Sequence, residues 1–154
     1  MEEKDIWERL YEAARVLYDP HDLSPFFYSN HVVCALEAAD GKIYTGFCIE
    51  GASGVLNLCA ERVAAVNMIV NGGPTVVHRI FVMRDKPPYR EGNFLPCGAC
   101  REFFMQLDER NRDAVILTDY AARETVTLGE LIPRWWGEER YRAAEQIDKK
   151  DFFS

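Results

Sequence analysis

The chain has 154 residues, 48% hydrophobic and 28% charged, with a formal net charge of −7. That length suits one globular domain, residues 1–154, burying about 70% of its unfolded surface; a second full-sized domain has no room, and the acidic excess disfavours nucleic acid as a partner. The longest apolar stretches are under ten residues, and Met1-Glu2-Glu3-Lys4-Asp5 is not a basic segment leading into an apolar one. Neither a membrane span nor a secretory signal is therefore expected, and the expected location is cytoplasmic.

Residues 3–18 carry Ile6, Leu10, Ala13, Ala14 and Leu17 at helical spacing, with Glu2, Glu3 and Asp5 where a helix dipole favours negative charge. That helix ends before Asp19-Pro20, because proline pushes the preceding residue out of the helical region. Residues 30–38 and 42–49 are apolar runs joined through Asp40-Gly41, which suits the positive φ of a tight hairpin; an antiparallel pair follows. Residues 58–71 are apolar nearly all round and run into Gly72-Gly73, predicting a mostly buried helix.

Residues 75–83 and 113–118 read as interior strands. Between them, residues 97–110 place Cys97, Cys100, Phe104 and Leu107 at helical spacing, so the three segments form a right-handed parallel crossover unit. Residues 85–96, with Pro87, Pro88, Gly92 and Pro96, form an ordered loop of the kind that carries sites. A short helix at 127–132 and a charged, solvated one at 137–150 complete the chain. The expected class is α/β in three layers, with a mixed sheet of about five strands and helices on both faces.

Five cysteines, an odd number at irregular spacing, point to reduced thiols rather than a disulfide framework. Cys59 and Cys97 each open a predicted helix, where the positive end of the dipole favours a thiolate. Two parallel helices starting at one sheet edge bring Cys59, Cys97 and Cys100 together. Three thiolates with a fourth position free are the arrangement of a catalytic zinc, since a structural site normally closes with four ligands. Glu61, two residues beyond Cys59, reaches the open position as a base, and Arg62 offsets the net negative charge of three thiolates on a dication by hydrogen-bonding to sulfur. Arg101 has two readings, a similar role or plain solvation. Taken singly, Cys59 reads as a buried thiol and Cys97-x-x-Cys100 as a redox pair or half a zinc knuckle; it is their coincidence with Glu61 and Pro96 that selects the metal.

Cys59-Ala60-Glu61-Arg62 together with Pro96-Cys97-Gly98-Ala99-Cys100-Arg101 resembles the small, homotetrameric cytidine deaminases that act on free pyrimidine nucleosides. The likeness runs from about Pro25 to Trp136 and includes Asp40-Gly41-Lys42-Ile43-Tyr44-Thr45-Gly46 and Glu130-Leu131-Ile132-Pro133. It implies a cytidine deaminase-like fold, one Zn²⁺ per chain, and hydrolysis at C4 of cytosine with Glu61 carrying a proton to N3 and then to the leaving amine. It also implies that the Ala60 backbone bonds the base, that Glu50 holds a ribose hydroxyl, and that Trp136 stacks on the base in a neighbouring subunit of a tetramer or dimer.

Two positions depart from the family pattern. Cys48 stands where the family has asparagine, and Asn30, counted back from Asp40-Gly41, stands where it has phenylalanine. The pair predicts poor handling of unmodified cytidine. Lacking the standard sugar-binding set is also a property of blasticidin-S deaminase, a relative whose C-terminal aromatic residue Trp135 and Trp136 weakly resemble. Trp135 and Trp136 have a second reading, as cover for the core or for a subunit interface. His21, His31 and His78 lack partners at ligand spacing and read as structural or solvated, Cys34 as a packed thiol. Two further function classes remain: a structural-zinc or inactive relative, which Glu61 opposes, and a polynucleotide deaminase, which the −7 charge opposes.

Overall fold

A computed structural model describes residues 2–92 and 94–143. In chain order the elements are α1 (Ile6–Arg15), β1 (His21–Asp22), β2 (Phe27–Ala38), β3 (Ile43–Gly51), α2 (Ala60–Val70), β4 (Val77–Met83), α3 (Gly98–Leu107), β5 (Val115–Asp119), β6 (Glu124–Thr127), α4 (Leu128–Leu131) and α5 (Glu138–Arg142). The predicted elements are present; the helices have shorter ends, whereas β2 begins at Phe27, β3 runs to Gly51 and β5 runs to Asp119, beyond the expected 30–38, 42–49 and 113–118. Residues 144–150 of the predicted last helix lie outside the described residues.

β2 is the hub of the sheet. It pairs antiparallel with β3 along one edge, and with β4 and the two-residue β1 along the other; β4 pairs parallel with β5, and β5 antiparallel with β6. The crossover from β4 to β5 through α3 is the predicted parallel unit, and the hairpin turns at Gly41, φ +80°. β1 and β6 were not foreseen. Each is too short to show an alternation of its own, and β6 follows Arg123, itself in a left-handed conformation at φ 56°.

Strand alternation sends side chains to two cores. Val33, Ala35, Phe81, Met83 and Leu117 meet Trp7, Leu10 and Ala14 of α1 on one face. On the other, Cys34, Leu36, Ile80, Val82 and Ile116 meet Ala64 and Met68 of α2 and Phe104 and Met105 of α3. Cys34 is thus a packed thiol, fully buried.

Two details set where α2 begins. At Gly46 any Cβ would collide with the Ala64 backbone nitrogen and sit 2.7 Å from the Ala60 carbonyl oxygen, so glycine is what lets α2 lie directly on β3. An isolated antiparallel bridge between Ile49 and Leu58 then fixes the chain one residue before Cys59. The expectation of a mostly buried α2 is corrected. Val66, Ile69 and Val70 are 47%, 43% and 76% exposed, because the helix rests one side on the sheet and turns these residues outward.

Candidate active site

Cys59 and Cys97 are the N-cap residues of α2 and α3, in extended conformation, and neither side chain caps its own helix. Serine or aspartate there would spend its side chain on the first-turn N–H groups; the larger sulfurs make no closed cap bond, although the Ala99 and Cys100 N–H groups border the Cys97 sulfur, and lone pairs remain for another partner. Cys100 follows one turn into α3 and is fully buried. The three Sγ atoms lie within 4.8 Å of one another, with Cys59 to Cys97 at 3.5 Å and Cys97 to Cys100 at 3.6 Å.

That spacing tests whether a metal fits. Thiolates held 2.3 Å from a common tetrahedral centre stand roughly 3.8 Å apart, within tenths of an ångström of the Cys59–Cys97 and Cys97–Cys100 separations. The soft all-sulfur donor set matches zinc, and three donors leave one position open. The residues present fit the group.

Glu61, 5% exposed, accepts a hydrogen bond from the Cys100 thiol at 3.0 Å. Burial raises its carboxyl above the ordinary carboxylate range, against the opposing pull of that thiol and of Arg62. Burial and then the Glu61 charge push Cys100 well up, while Cys59 is raised by burial against its bond from Arg62. Cys97 goes the other way. Burial acts upward on it, but the backbone N–H groups of Cys100 and Ala99 and the neighbouring thiols bring it below the usual cysteine value. Arg62 Nη2 donates to Cys59 Sγ at 3.5 Å, and its buried Nε has no partner among the described residues. Its guanidinium thus lies beside the Cys59 sulfur. Arg101 takes neither of its two readings: Nε donates to the Pro96 carbonyl at 2.7 Å and Nη1 to Leu131, fastening the loop that delivers Cys97.

The cluster opens into a cavity of about 550 Å³, of a size for a small organic ligand. Cys48, Glu50, Ala60 and Glu61 line it with Cys59 and Cys97, as do Arg84, Asp85, Phe94 and Leu95 from the predicted site-bearing loop and its start. Asn30 lies elsewhere, and Trp136, expected to serve a neighbouring subunit, is not in this lining. Asn30 is buried, accepts from Ser29 Oγ at 2.7 Å and donates to the Leu17 carbonyl at 2.8 Å. Trp136 is 65% exposed and donates to Glu102 at 2.6 Å, while the second oxygen of Glu102 takes the Trp135 indole at 2.8 Å. Sequence reasoning missed Tyr18 and His31, both in the lining. His31, expected to be structural or solvated, lies in that lining with its side chain 22% exposed; the other two histidines, His21 and His78, are more than 40% exposed in their side chains.

No family model matches the chain. It is 32% identical over 136 residues to a cytidine deaminase of Sporosarcina psychrophila, covering 88% of this chain and 92% of that one. To a probable cytidine deaminase of Dictyostelium discoideum it is 35% identical over 125 residues, 80% of this chain and 81% of the other. The fold is similar to the crystal structure of cytidine deaminase from Burkholderia pseudomallei, with a TM-score of 0.63 and 28% identity over 83% of this chain and 97% of that chain.

Proposed function

Since the chain belongs to the cytidine deaminase family, and so is a hydrolase of cyclic amidine C–N bonds, we infer that it converts a free cytosine nucleoside and water to the uracil nucleoside and ammonia. What carries the reading is the placement of Glu61, a buried carboxylate 3.0 Å from Cys100, in a cavity that Cys59 and Cys97 also line. A purely structural metal site has no use for such a base.

Cys59, Cys97 and Cys100 would hold one zinc ion, which when bound would supply Lewis acidity for activating water. Glu61 takes a proton from the attacking water and gives it to N3 as C4–O forms; it then takes the second proton from the new C4 hydroxyl and delivers it to the amine as C4–N breaks, leaving the C4 carbonyl. Burial raises its carboxyl above the ordinary carboxylate range, in the direction that favours holding a proton between the two transfers. The Ala60 backbone borders the base, and Glu50 accepts from the sugar. Arg62, donating to Cys59 Sγ, would offset the negative charge of three thiolates around the metal.

The enzyme is one domain acting on a small molecule. Among the described residues no helix is long and apolar enough to cross a membrane, and a cytoplasmic location agrees with reduced thiols. A homo-oligomer, tetramer or dimer, is supported by the outward apolar face of Val66, Ile69 and Val70. Within such an assembly Trp136, held by Glu102, is presented to a neighbouring subunit. A modified cytosine nucleoside is the second reading, favoured by Cys48 where the family carries an amide. Ammonia release from cytidine, deoxycytidine, an aminoacylated cytosine nucleoside and a single-stranded oligonucleotide tests the activity and its substrate class. No release from any nucleoside by zinc-loaded protein would refute it.

A further inference from the structure

The cavity has a polar wall that the chemistry at C4 does not use. β2 pairs regularly with β3 from Val33 onward, but the register shifts between Ser29 and Val33, and inside that irregularity Asn30 takes a left-handed backbone with φ 63°. A bulge of this kind re-aims the side chains around it. Asn30 turns inward to the Leu17 carbonyl, and His31 joins the cavity lining with its side chain 22% exposed. The imidazole is held on several sides. Tyr28 stacks on it with ring centroids 4.7 Å apart and planes inclined by 28°; Glu50 Oε1 lies 3.4 Å from Nε2; Cys48 Sγ lies 3.2 Å from Nδ1 and 3.4 Å from Nε2.

A thiol, an imidazole and a carboxylate in sequence resemble a nucleophile with its base and orienting group. The distances count against that. A sulfur almost equidistant from both ring nitrogens faces the carbon between them, not an in-plane lone pair, and it already accepts the Val32 N–H at 3.2 Å. Burial also keeps the Cys48 thiol up, away from thiolate. The sulfur therefore packs against the ring and leaves its hydrogen-bonding capacity available. With the ring proton on Nε2, the nitrogen 3.4 Å from Glu50 Oε1, Nδ1 is an acceptor, and among the described residues only that sulfur is within hydrogen-bond distance of it. Glu50, whose side chain is 58% exposed, is a second acceptor beside it.

C4 and N1 lie across the pyrimidine ring from each other, so a base with C4 at Glu61 sends its N1 substituent away from the thiols. Glu50 is one residue from Ile49, whose bridge to Leu58 adjoins Cys59, so this polar wall belongs to the same cavity as the reacting end. We propose that His31 is a specificity-determining residue that, with Glu50, reads the sugar hydroxyls of the substrate, one donating to the carboxylate and one to Nδ1. The assignment rests on the nucleoside reading above. An imidazole from β2 supplies the acceptor that Cys48 on β3 lacks, and position 48 then no longer predicts poor handling of cytidine.

The experiment compares cytidine with 2′,3′-dideoxycytidine, which differ only in two hydroxyls, using the zinc-loaded full chain. His31→Ala should raise the cytidine KM about 3- to 10-fold, the worth of one hydrogen bond, with kcat little changed and dideoxycytidine unaffected. His31→Gln, which keeps an acceptor, should retain most of the preference, and adding Cys48→Asn to His31→Ala should restore the cytidine KM. Equilibrium binding of uridine and 2′,3′-dideoxyuridine gives a readout independent of turnover. Equal losses on both substrates, or no effect of His31→Ala where the wild type turns cytidine over, would overturn the inference alone. A wild type whose preference for uridine depends on His31 but which deaminates nothing would overturn the proposed activity and leave His31 in place; neither binding nor turnover would overturn both.

Discussion

The thiol cluster and the His31–Glu50 wall share one cavity but are built differently. Cys59, Cys97 and Cys100 come from two helix starts, and regular geometry carries them together: α2 lies on β3 through Gly46, and α3 is the crossover between parallel strands. His31 reaches the same cavity through an irregularity, a shift of register and one left-handed residue in β2. A site made by regular elements follows from spacing alone. One made by a bulge does not, because counting residues back from a turn assumes that the strand keeps its alternation.

The strongest way to break this contrast is at the cluster. Cys97→Ala removes one of three donors, and zinc content should fall from about one per chain to near none, with deamination lost and the loop at 85–96 less stable. Metal analysis of the purified variant checks it; full zinc content would remove Cys97 from the ligand set. Glu61→Gln separates chemistry from metal. It keeps size and hydrogen bonding at a buried position, so fold and zinc should survive while kcat drops by at least ~10²-fold. Near-normal turnover would assign proton transfer to another group.

Arg62 tests whether the surroundings of the sulfurs matter as much as the sulfurs. Its Nη2 bonds Cys59 and its Nε is buried without a partner among the described residues, so the contact with sulfur is what ties the guanidinium to the cluster. Arg62→Gln should cost about 10-fold in zinc affinity or activity, the lower end of what outer partners of metal ligands contribute. Competition with a chelator, beside kcat/KM, distinguishes the two, and unchanged values in both would make Arg62 a packing residue.

Legibility followed the same division elsewhere. The hairpin, the crossover unit and the cysteine segments were readable because a turn signal or a helical period fixes each locally. The outward face of α2 was not, since an all-apolar helix looks alike whether a sheet or a second copy of the chain covers it; only the structure turns Val66, Ile69 and Val70 away from the sheet. Glu102 gave no signal either. It reads as a solvated helix carboxylate, yet its two oxygens take the indole N–H groups of Trp135 and Trp136, a convergence from residues over thirty positions apart.

The smallest expected effect lies at the bulge itself and has an unusual sign. Elsewhere in a strand, glycine is less stable than alanine because it loses more backbone freedom on folding. At Asn30 the backbone sits at φ 63°, which costs a residue with a Cβ roughly 1–2 kcal/mol and glycine almost nothing. Both Asn30→Ala and Asn30→Gly lose the bond to the Leu17 carbonyl, so that loss cancels between them. Asn30→Gly should therefore be the more stable of the two by about 1 kcal/mol in denaturant unfolding, and both should fall below the wild type. The ranking extends to function. If Asn30→Ala relaxes the strand toward regular alternation, His31 leaves the cavity, and the preference for cytidine over 2′,3′-dideoxycytidine should weaken in Asn30→Ala more than in Asn30→Gly. Alanine proving the more stable substitution would mean that the left-handed residue is not what aims His31, and the contrast between the two walls would lose its physical basis.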